Sequence, residues 1–227
     1  MDGGIIFEGN KMITKFELYT IGHSTHSIGE FIKLLTMHSI TAVCDVRSTP
    51  YSQFTPQFNR ELLQKELKIY NISYVFLGEE LGARSDNPSC YVNGKVQHGC
   101  LAQEPRFYQG INRLVEGLKN YRIALMCAEK DPIACHRTIL ICRNLHSRDI
   151  EIKHILGDGK IESNIDFEQR LLYILKIPRN DLFTSDEDLI EEAYNIQGEK
   201  IAYVRNSYED DNKNSGAISK KSGAGRG

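Results

Sequence analysis

The stretch from Arg122 to Arg143, RIALMCAEKDPIACHRTILICR, constrains the fold more than any other part of the chain. Its spacing predicts a buried strand over Arg122–Met126, a polar loop opening on Cys127, and a helix beginning near Pro132. Asp131 suits an N-cap and Pro132 the first helical position. Cys135, His136 and Arg137 then occupy the first turns. A strand that runs out onto a thiol and the Glu129 carboxylate, and then feeds a helix N-terminus, is a place to hold an anion. Free backbone N–H groups and the helix dipole both favour negative charge there.

The same strand-then-helix pattern surrounds this stretch. Phe16–Ile21 reads as a strand running into Gly22-His23-Ser24. Ser27 and Glu30 form a capping-box signature before Phe31, Leu34, Leu35 and His38 at helical spacing. Ile40–Val46 is a short apolar run of the kind seen in strands buried on both faces. A helix follows over Asn59–Tyr70, with Leu63, Leu67 and Tyr70 on one side, then a strand over Ser73–Leu77. Gly78 to Gln103 reads as a long loop in which Asn93-Gly94 closes a small hairpin. Pro105 opens a helix with Phe107, Ile111, Leu114, Val115 and Leu118 on one face. In the helix after Pro132, Ala134, Thr138, Ile141, Cys142 and Leu145 share the inner face. Glu151–Leu156 reads as a strand, Asn164–Leu175 and Ser185–Tyr194 as helices, and Lys200–Val204 as a short edge strand.

This alternation predicts an α/β fold with an open, mostly parallel β-sheet and helices on both faces, a three-layer, Rossmann-like arrangement. Residues 1–15 read as an N-terminal extension, 16–176 as the α/β domain, and 177–205 as a helical appendage with a short strand. Residues 206–227 are polar and glycine-rich, the composition of a disordered tail.

At 227 residues the chain can bury a full core. Its net charge of −2 speaks against a broadly basic nucleic-acid surface, though not against a local basic groove. No run approaches the roughly 20 apolar residues needed to span a bilayer. The first residues lack the features of a signal peptide. A cytoplasmic location is therefore expected, with no membrane partner and with all six cysteines reduced.

The chemistry-bearing residues fall at or just beyond the C-terminal ends of the expected strands, where open parallel sheets bind ligands. Cys127 and Cys135 are candidate nucleophiles, since a thiolate beside Arg47 or Arg137 at a helix N-terminus is stabilised. Packing as small buried hydrophobes is the alternative for both. Cys44 and Cys142 read as core, and Cys90 and Cys100 as incidental to the long loop. His23, His136 and His154 stand where they could exchange protons or bond backbone at strand ends. His26, His38, His98 and His146 lack such placement. Asp45 and Glu129 could orient a histidine, act as base, or pair with Arg47 and Arg137. Arg47, Arg84 and Arg137, with Ser24, suit phosphate or carboxylate binding.

A metal set of Cys127, Cys135, His136 and His154 is possible by residue type. Its spacing matches none of the usual short zinc patterns, so no metal is expected. No dinucleotide fingerprint or phosphate-binding lysine loop occurs, so no NAD or ATP cofactor is implied.

The run YTIGHST (19–25), CDVRSTPYS (44–52), SYVFLGEELGAR (73–84), LMCAEKDPIACHR (125–137) and HIL (154–156) resembles domain-of-unknown-function family 488. The resemblance spans roughly residues 16 to 175. It implies an α/β domain with the TIGHS, DVR and CAE…CHR motifs gathered at one site, and no settled activity. Some members carry a loose DNA-repair label. A fainter likeness to rhodanese and cysteine-phosphatase folds rests on the Asp-Val-Arg and the cysteine-loop-helix. Here the loop from Cys127 to Arg137 is longer than their cradle and lacks its glycine.

Three functions fit these residues. The first is an enzyme, a hydrolase or transferase using a cysteine or an acid–base pair, acting on an anionic small molecule or nucleotide. The second is a nucleic-acid-associated module in which Tyr51, Phe54 and Tyr91 stack on bases. The third is a non-catalytic scaffold. Oligomeric state is not encoded in any of these features.

Overall fold

The computed structural model of the chain describes residues 5–8, 11–14, 16–145, 149–178 and 184–205. The expected disordered tail at 206–227, and His146, lie outside the described residues. The order of elements begins with an antiparallel hairpin of β1 (Ile5–Glu8) and β2 (Lys11–Thr14). There follow β3 (Phe16–Gly22), α1 (Ile28–Met37), β4 (Ala42–Asp45), α2 (Arg60–Ile69), β5 (Ser73–Phe76) and α3 (Gly78–Leu81). A small hairpin of β6 (Tyr91–Val92) and β7 (Lys95–Val96) leads to α4 (His98–Gln103) and α5 (Pro105–Leu118). The chain closes with β8 (Ile123–Cys127), β9 (Ile150–Ile155), β10 (Ile161–Ser163), α6 (Asn164–Leu175) and α7 (Asp186–Ile201).

Six strands form one sheet in the order β10-β9-β3-β8-β4-β5, with only β10 antiparallel to its neighbour. Alternate residues of the central strands feed opposite layers. Tyr19, Ile21, Val43, Ala124 and Met126 pack against α1 and α2 through Phe31, Leu35, Leu63 and Leu67. Leu18, Cys44, Ile123, Leu125 and Cys127 pack the other way, against α5 and the segment 140–145. A third cluster joins α6 and α7 through Phe167, Leu171, Leu172, Ala193 and Tyr194. The fold is the open, mostly parallel three-layer α/β architecture that the alternation predicts.

This topology places the site. The connection leaving β3 crosses the face covered by α1, whereas the one leaving β8 crosses the opposite face. The neighbouring C-terminal ends of β3 and β8 therefore flank a switch point, where such sheets form a crevice. Gly22 and Cys127 face each other in register there.

Several local readings hold. Ser27 and Glu30 complete the capping box in both directions. Asn93 and Gly94, both at positive φ, turn the small hairpin.

Others are corrected. Tyr70 caps α2 and is exposed, because its helix ends one residue earlier. The long loop contains α3, α4 and a disulfide between Cys90 and Cys100, so these two cysteines are not reduced thiols. A turn at Pro88–Cys90 and the first residues of α4 bring them together. Lys200 and Ile201 belong to α7, and the expected edge strand shrinks to a single bridge between Lys95 and Val204.

The helix after Pro132 is not a regular α-helix. Asp131 caps a 3₁₀ turn at Pro132–Ala134, its Oδ1 accepting from the Ile133 N–H at 2.9 Å. Cys135 is then extended, a π-helix spans Arg137–Ile141, and a 3₁₀ turn spans Cys142–Leu145. Ala134 consequently faces solvent, while Thr138, Ile141, Cys142 and Leu145 are buried.

His154 lies within a buried polar chain. Its Nδ1 is 2.9 Å from Thr20 Oγ1 and its Nε2 is 3.3 Å from Asn164 Oδ1. An amide oxygen can only accept, so Nε2 carries the proton and Nδ1 accepts from Thr20. Burial pushes His154 down to about 3, so it is neutral in the folded protein. The unfolded chain takes up a proton near pH 6.5 that the fold refuses until about 3. Stability in urea titrations should therefore fall as pH drops from about 6.5 toward 4. His154→Gln should be weaker at neutral pH but less acid-sensitive. An unchanged acid slope in that variant would remove His154 as the cause.

Candidate active site at the sheet edge

At the switch point, the loop after β8 folds directly over the end of β3. The ladder continues beyond the strands, with His23 N–H donating to Cys127 O and Ser24 N–H to Ala128 O, both at 2.9 Å. A Cβ on Gly22 would stand 1.9 Å from Glu129 O, so only glycine admits the loop. Ser24 takes a left-handed φ of 46° to leave the strand. The glycine of the GEELG stretch has a parallel role, since a Cβ on Gly78 would stand 2.0 Å from Arg47 O.

The folded loop brings Cys127, Glu129, Cys135 and His136 together. One ligating atom from each lies within 4.8 Å of all the others. Cys135 Sγ is 3.0 Å from Glu129 Oε2, and Cys127 Sγ is 3.7 Å from His136 Nδ1. His136 Nε2 is 3.0 Å from Val46 O, an acceptor only, so Nε2 carries a proton and Nδ1 faces the sulfurs. Burial acts to lower this imidazole, but bonding to Cys135 and the Cys135 charge outweigh it and raise it above its ordinary range. Cys127, Cys135 and His136 are buried. Glu129 is exposed as a residue, with its carboxylate turned inward onto Cys135.

Arg137 stands beside this cluster and is 0% exposed. Its Nη1 donates to Glu129 O at 2.7 Å and its Nη2 to Lys130 O at 3.3 Å. Its Nε has no partner, and no carboxylate pairs with it among the described residues. A buried cation needs compensation, and the cluster supplies it. Burial acts to raise the Cys135 thiol. Hydrogen bonding from Cys127 and the charges of Arg137 and His136 outweigh it and hold Cys135 well below the ordinary thiol range. Bonding to Cys135, then burial, pushes Cys127 up. Burial, then the negative Cys135, raises Glu129.

Asp45, Arg47 and His23 form a second network on the α1–α2 side of the same edge. Arg47 grips Asp45 through Nε to Oδ1 at 2.9 Å and Nη2 to Oδ2 at 2.7 Å. Tyr74 OH adds a bond to Asp45 Oδ2 at 2.8 Å, and Arg47 Nη2 also donates to Phe58 O. His23 stacks on Phe58 with ring centroids 4.3 Å apart, and its Nε2 is 3.3 Å from Arg47 Nη1. Burial, then Arg47, lowers His23 to about 4, so it is neutral.

The three motifs thus meet through their backbones, while their side chains divide into two adjoining networks. Arg84 belongs to neither. It stacks on Tyr203 at 4.2 Å and lines a cavity of about 610 Å³ with Ser48, Glu80, Asp86 and Arg106. His154 stands apart in its own polar chain. Cys44 and Cys142 are buried thiols raised by burial, Cys44 to about 12. Glu129 is the member that the sequence-level metal set lacked. Its approach to Cys135 depends on the 3₁₀ turn, for which only Asp131-Pro132 gives a sequence signal.

Asp45→Asn removes the charge that Arg47 was buried against. Breaking a buried pair from one side costs about 3–5 kcal/mol, and urea denaturation should show a loss of that order. A loss below about 1 kcal/mol would mean that Arg47 finds another counter-charge or reaches water.

A family model described as "Domain of unknown function DUF488" matches residues 27–143. The match includes the DVR, GEELGAR and CAE…CHR segments and begins after the TIGHS motif, a shorter span than the resemblance suggests. No curated protein matches the chain. With more than half its length matched, and with the matched segment supplying Asp45, Arg47 and the entire cysteine–glutamate–histidine cluster, the chain belongs to the DUF488 family.

Proposed function

We propose that this protein is an enzyme, a hydrolase or transferase, acting on an anionic phosphate- or nucleotide-containing substrate at the C-terminal edge of the sheet. The observation carrying this reading is the cluster of Cys127, Glu129, Cys135 and His136 beside a fully buried Arg137 that makes no ion pair among the described residues. Reactive groups and a cation balanced only by them are costly to bury together, and a functional centre is where such an arrangement is retained. Glu129 is its exposed member and therefore the one that meets substrate and moves a proton. Cys135, in contact with it, is its partner.

The arginines take different roles. Arg47 is committed to Asp45 and Arg137 to two backbone carbonyls, so both act through charge and by holding the loops. Arg84 has neither commitment and lines a cavity with Ser48, the residue after Arg47, which favours it as the contact for the substrate's anionic group.

The test combines a thermal-shift screen with turnover assays against phosphate esters and nucleotides. A ligand that binds only the fold raises the apparent melting temperature. Glu129→Gln should lower kcat by about 10²–10⁴-fold with little change in melting temperature. Arg84→Ala should raise KM with kcat nearly unchanged. A panel without any shift or turnover would overturn the reading.

A second reading draws on the loop after Arg47, where Phe54 is 96% exposed and Tyr51 is half exposed. Exposed rings beside arginines suit a nucleic-acid-associated module. Tyr91 does not join them, since its ring lies under Arg205 and its OH donates to Ser85 O. This reading requires binding to single-stranded DNA at low salt that weakens steeply as salt rises and is lost in Phe54→Ala.

A further inference from the structure

We infer that Cys127, Glu129, Cys135 and His136 form a binding site for a divalent transition-metal ion of the zinc class. Two sulfurs, an imidazole nitrogen and a carboxylate oxygen are a donor set that such ions accept. Donors around a tetrahedral zinc ion stand roughly 3.3–3.8 Å apart, given bonds of about 2.3 Å to sulfur and 2.0–2.2 Å to nitrogen and oxygen. The cluster's spacings bracket this range, with 3.7 Å from Cys127 Sγ to His136 Nδ1, 3.0 Å from Cys135 Sγ to Glu129 Oε2, and every pair within 4.8 Å, so side-chain shifts of about an ångström close it on an ion.

Three further observations point the same way. His136 presents Nδ1 to the cluster while its Nε2–H is fixed by the Val46 carbonyl, the outer bond that metal-ligating histidines normally make. Arg137 holds the Glu129 and Lys130 carbonyls, and so holds the loop that carries one ligand. Its charge also completes the balance. Two thiolates and a carboxylate carry three negative charges, which a divalent ion and the buried guanidinium together neutralise. In the absence of an ion, two cysteine sulfurs and a carboxyl group crowd together beside the buried guanidinium.

The site is open on one side. Cys127, Cys135 and His136 are buried and form a fixed floor, whereas Glu129 is exposed as a residue and turns its carboxylate in onto them from the solvent side. Catalytic zinc sites keep three protein ligands and one exchangeable position, and Glu129 is the group placed to exchange. An ion held here takes both thiols as ligands, which assigns the chemistry of this centre to acid–base work rather than to a cysteine nucleophile. The inference rests on the enzyme reading only for what the ion would do in a reaction. Ion binding is measured without substrate, so either can fail alone.

The full-length chain, reduced and stripped with a chelator, is titrated with Zn²⁺ against a chromogenic chelator and with Co²⁺ by its visible spectrum. One ion per chain is expected, with a thiolate-to-cobalt charge-transfer band and the d–d bands of a tetrahedral ion. Glu129→Gln should weaken binding about tenfold or more with little change in the melting temperature of the ion-free chain. Cys127→Ser and Cys135→Ser should each weaken the charge-transfer band and the double variant should lose it, whereas Cys44→Ala, a thiol outside the cluster, should keep it in full. Should the cysteine variants not fold, the ¹¹³Cd chemical shift of the loaded wild-type chain reports its sulfur ligands, two being expected. Failure to retain an ion, a spectrum without thiolate ligation, or a Cys127–Cys135 disulfide in the purified chain would overturn the inference. Turnover by the stripped chain would separate the enzyme reading from the ion.

Discussion

Between the ends of β3 and β8, the carbonyl of Glu129 occupies the space that a side chain at residue 22 would fill. The rest of the site follows from this contact. The two strands already pair in parallel, and their hydrogen bonding runs on through His23 and Ser24 into the loop beyond Cys127. A loop held by backbone bonds to a sheet is positioned by the most rigid part of the molecule. Cys127 ends the strand, Glu129 sits two residues beyond it, and the turn at Pro132–Ala134 reverses the chain so that Cys135 and His136 return to the same place. The histidine then reaches across to the carbonyl of Val46 at the end of β4, so that three neighbouring strands fix one cluster.

Charge is distributed over this edge with two different results. On the α1–α2 side, Asp45 and Arg47 pair bidentately, Tyr74 and the Phe58 carbonyl take up further positions, and His23 is stacked and neutral. That network is closed and rigid, as a fully satisfied buried ion pair should be. On the other side, Arg137 has carbonyls for its terminal nitrogens, and among the described residues its charge is balanced by the cysteines and carboxylate beside it. The first network stabilises geometry, whereas the second gathers ionisable groups around one buried cation, which is why the chemistry is assigned there.

Much of this could be read from residue order, and the boundary between legible and illegible features is physical. Local signals transferred well. The Ser27–Glu30 box, the Asn93-Gly94 turn and the Asp131 cap each depend on bonds within a few residues. The parallel sheet was legible because buried strands read as apolar runs, and the sheet edge because polar motifs stood at their ends. Contacts made by chain reversal were not legible. Glu129 meets Cys135 only through the 3₁₀ turn, so a set of metal-like residues chosen by type took His154, which packs instead against Thr20 and Asn164. Cys90 and Cys100 looked incidental because their pairing requires a turn and a helix inside what reads as a loop. Exposure of Ala134 and Tyr70 follows from helices ending or changing pitch one residue away from the ideal period.

The π-helix at Arg137–Ile141 has a consequence for how this centre can vary. A π-turn is an α-helix carrying one extra residue, and such single-residue bulges persist because they reset the angular register of everything downstream. Here the upstream side of the bulge belongs to the cluster, through Cys135, His136 and Arg137, and the downstream side belongs to the core, through Cys142 and Leu145. Deleting one residue from the bulge would relax the helix but rotate one set relative to the other by about a quarter-turn or more. The two halves are thus geared together at this point. Substitutions on either side can accumulate independently, but insertions and deletions across it cannot, which makes the length of this segment, more than its composition, the invariant that a working site requires.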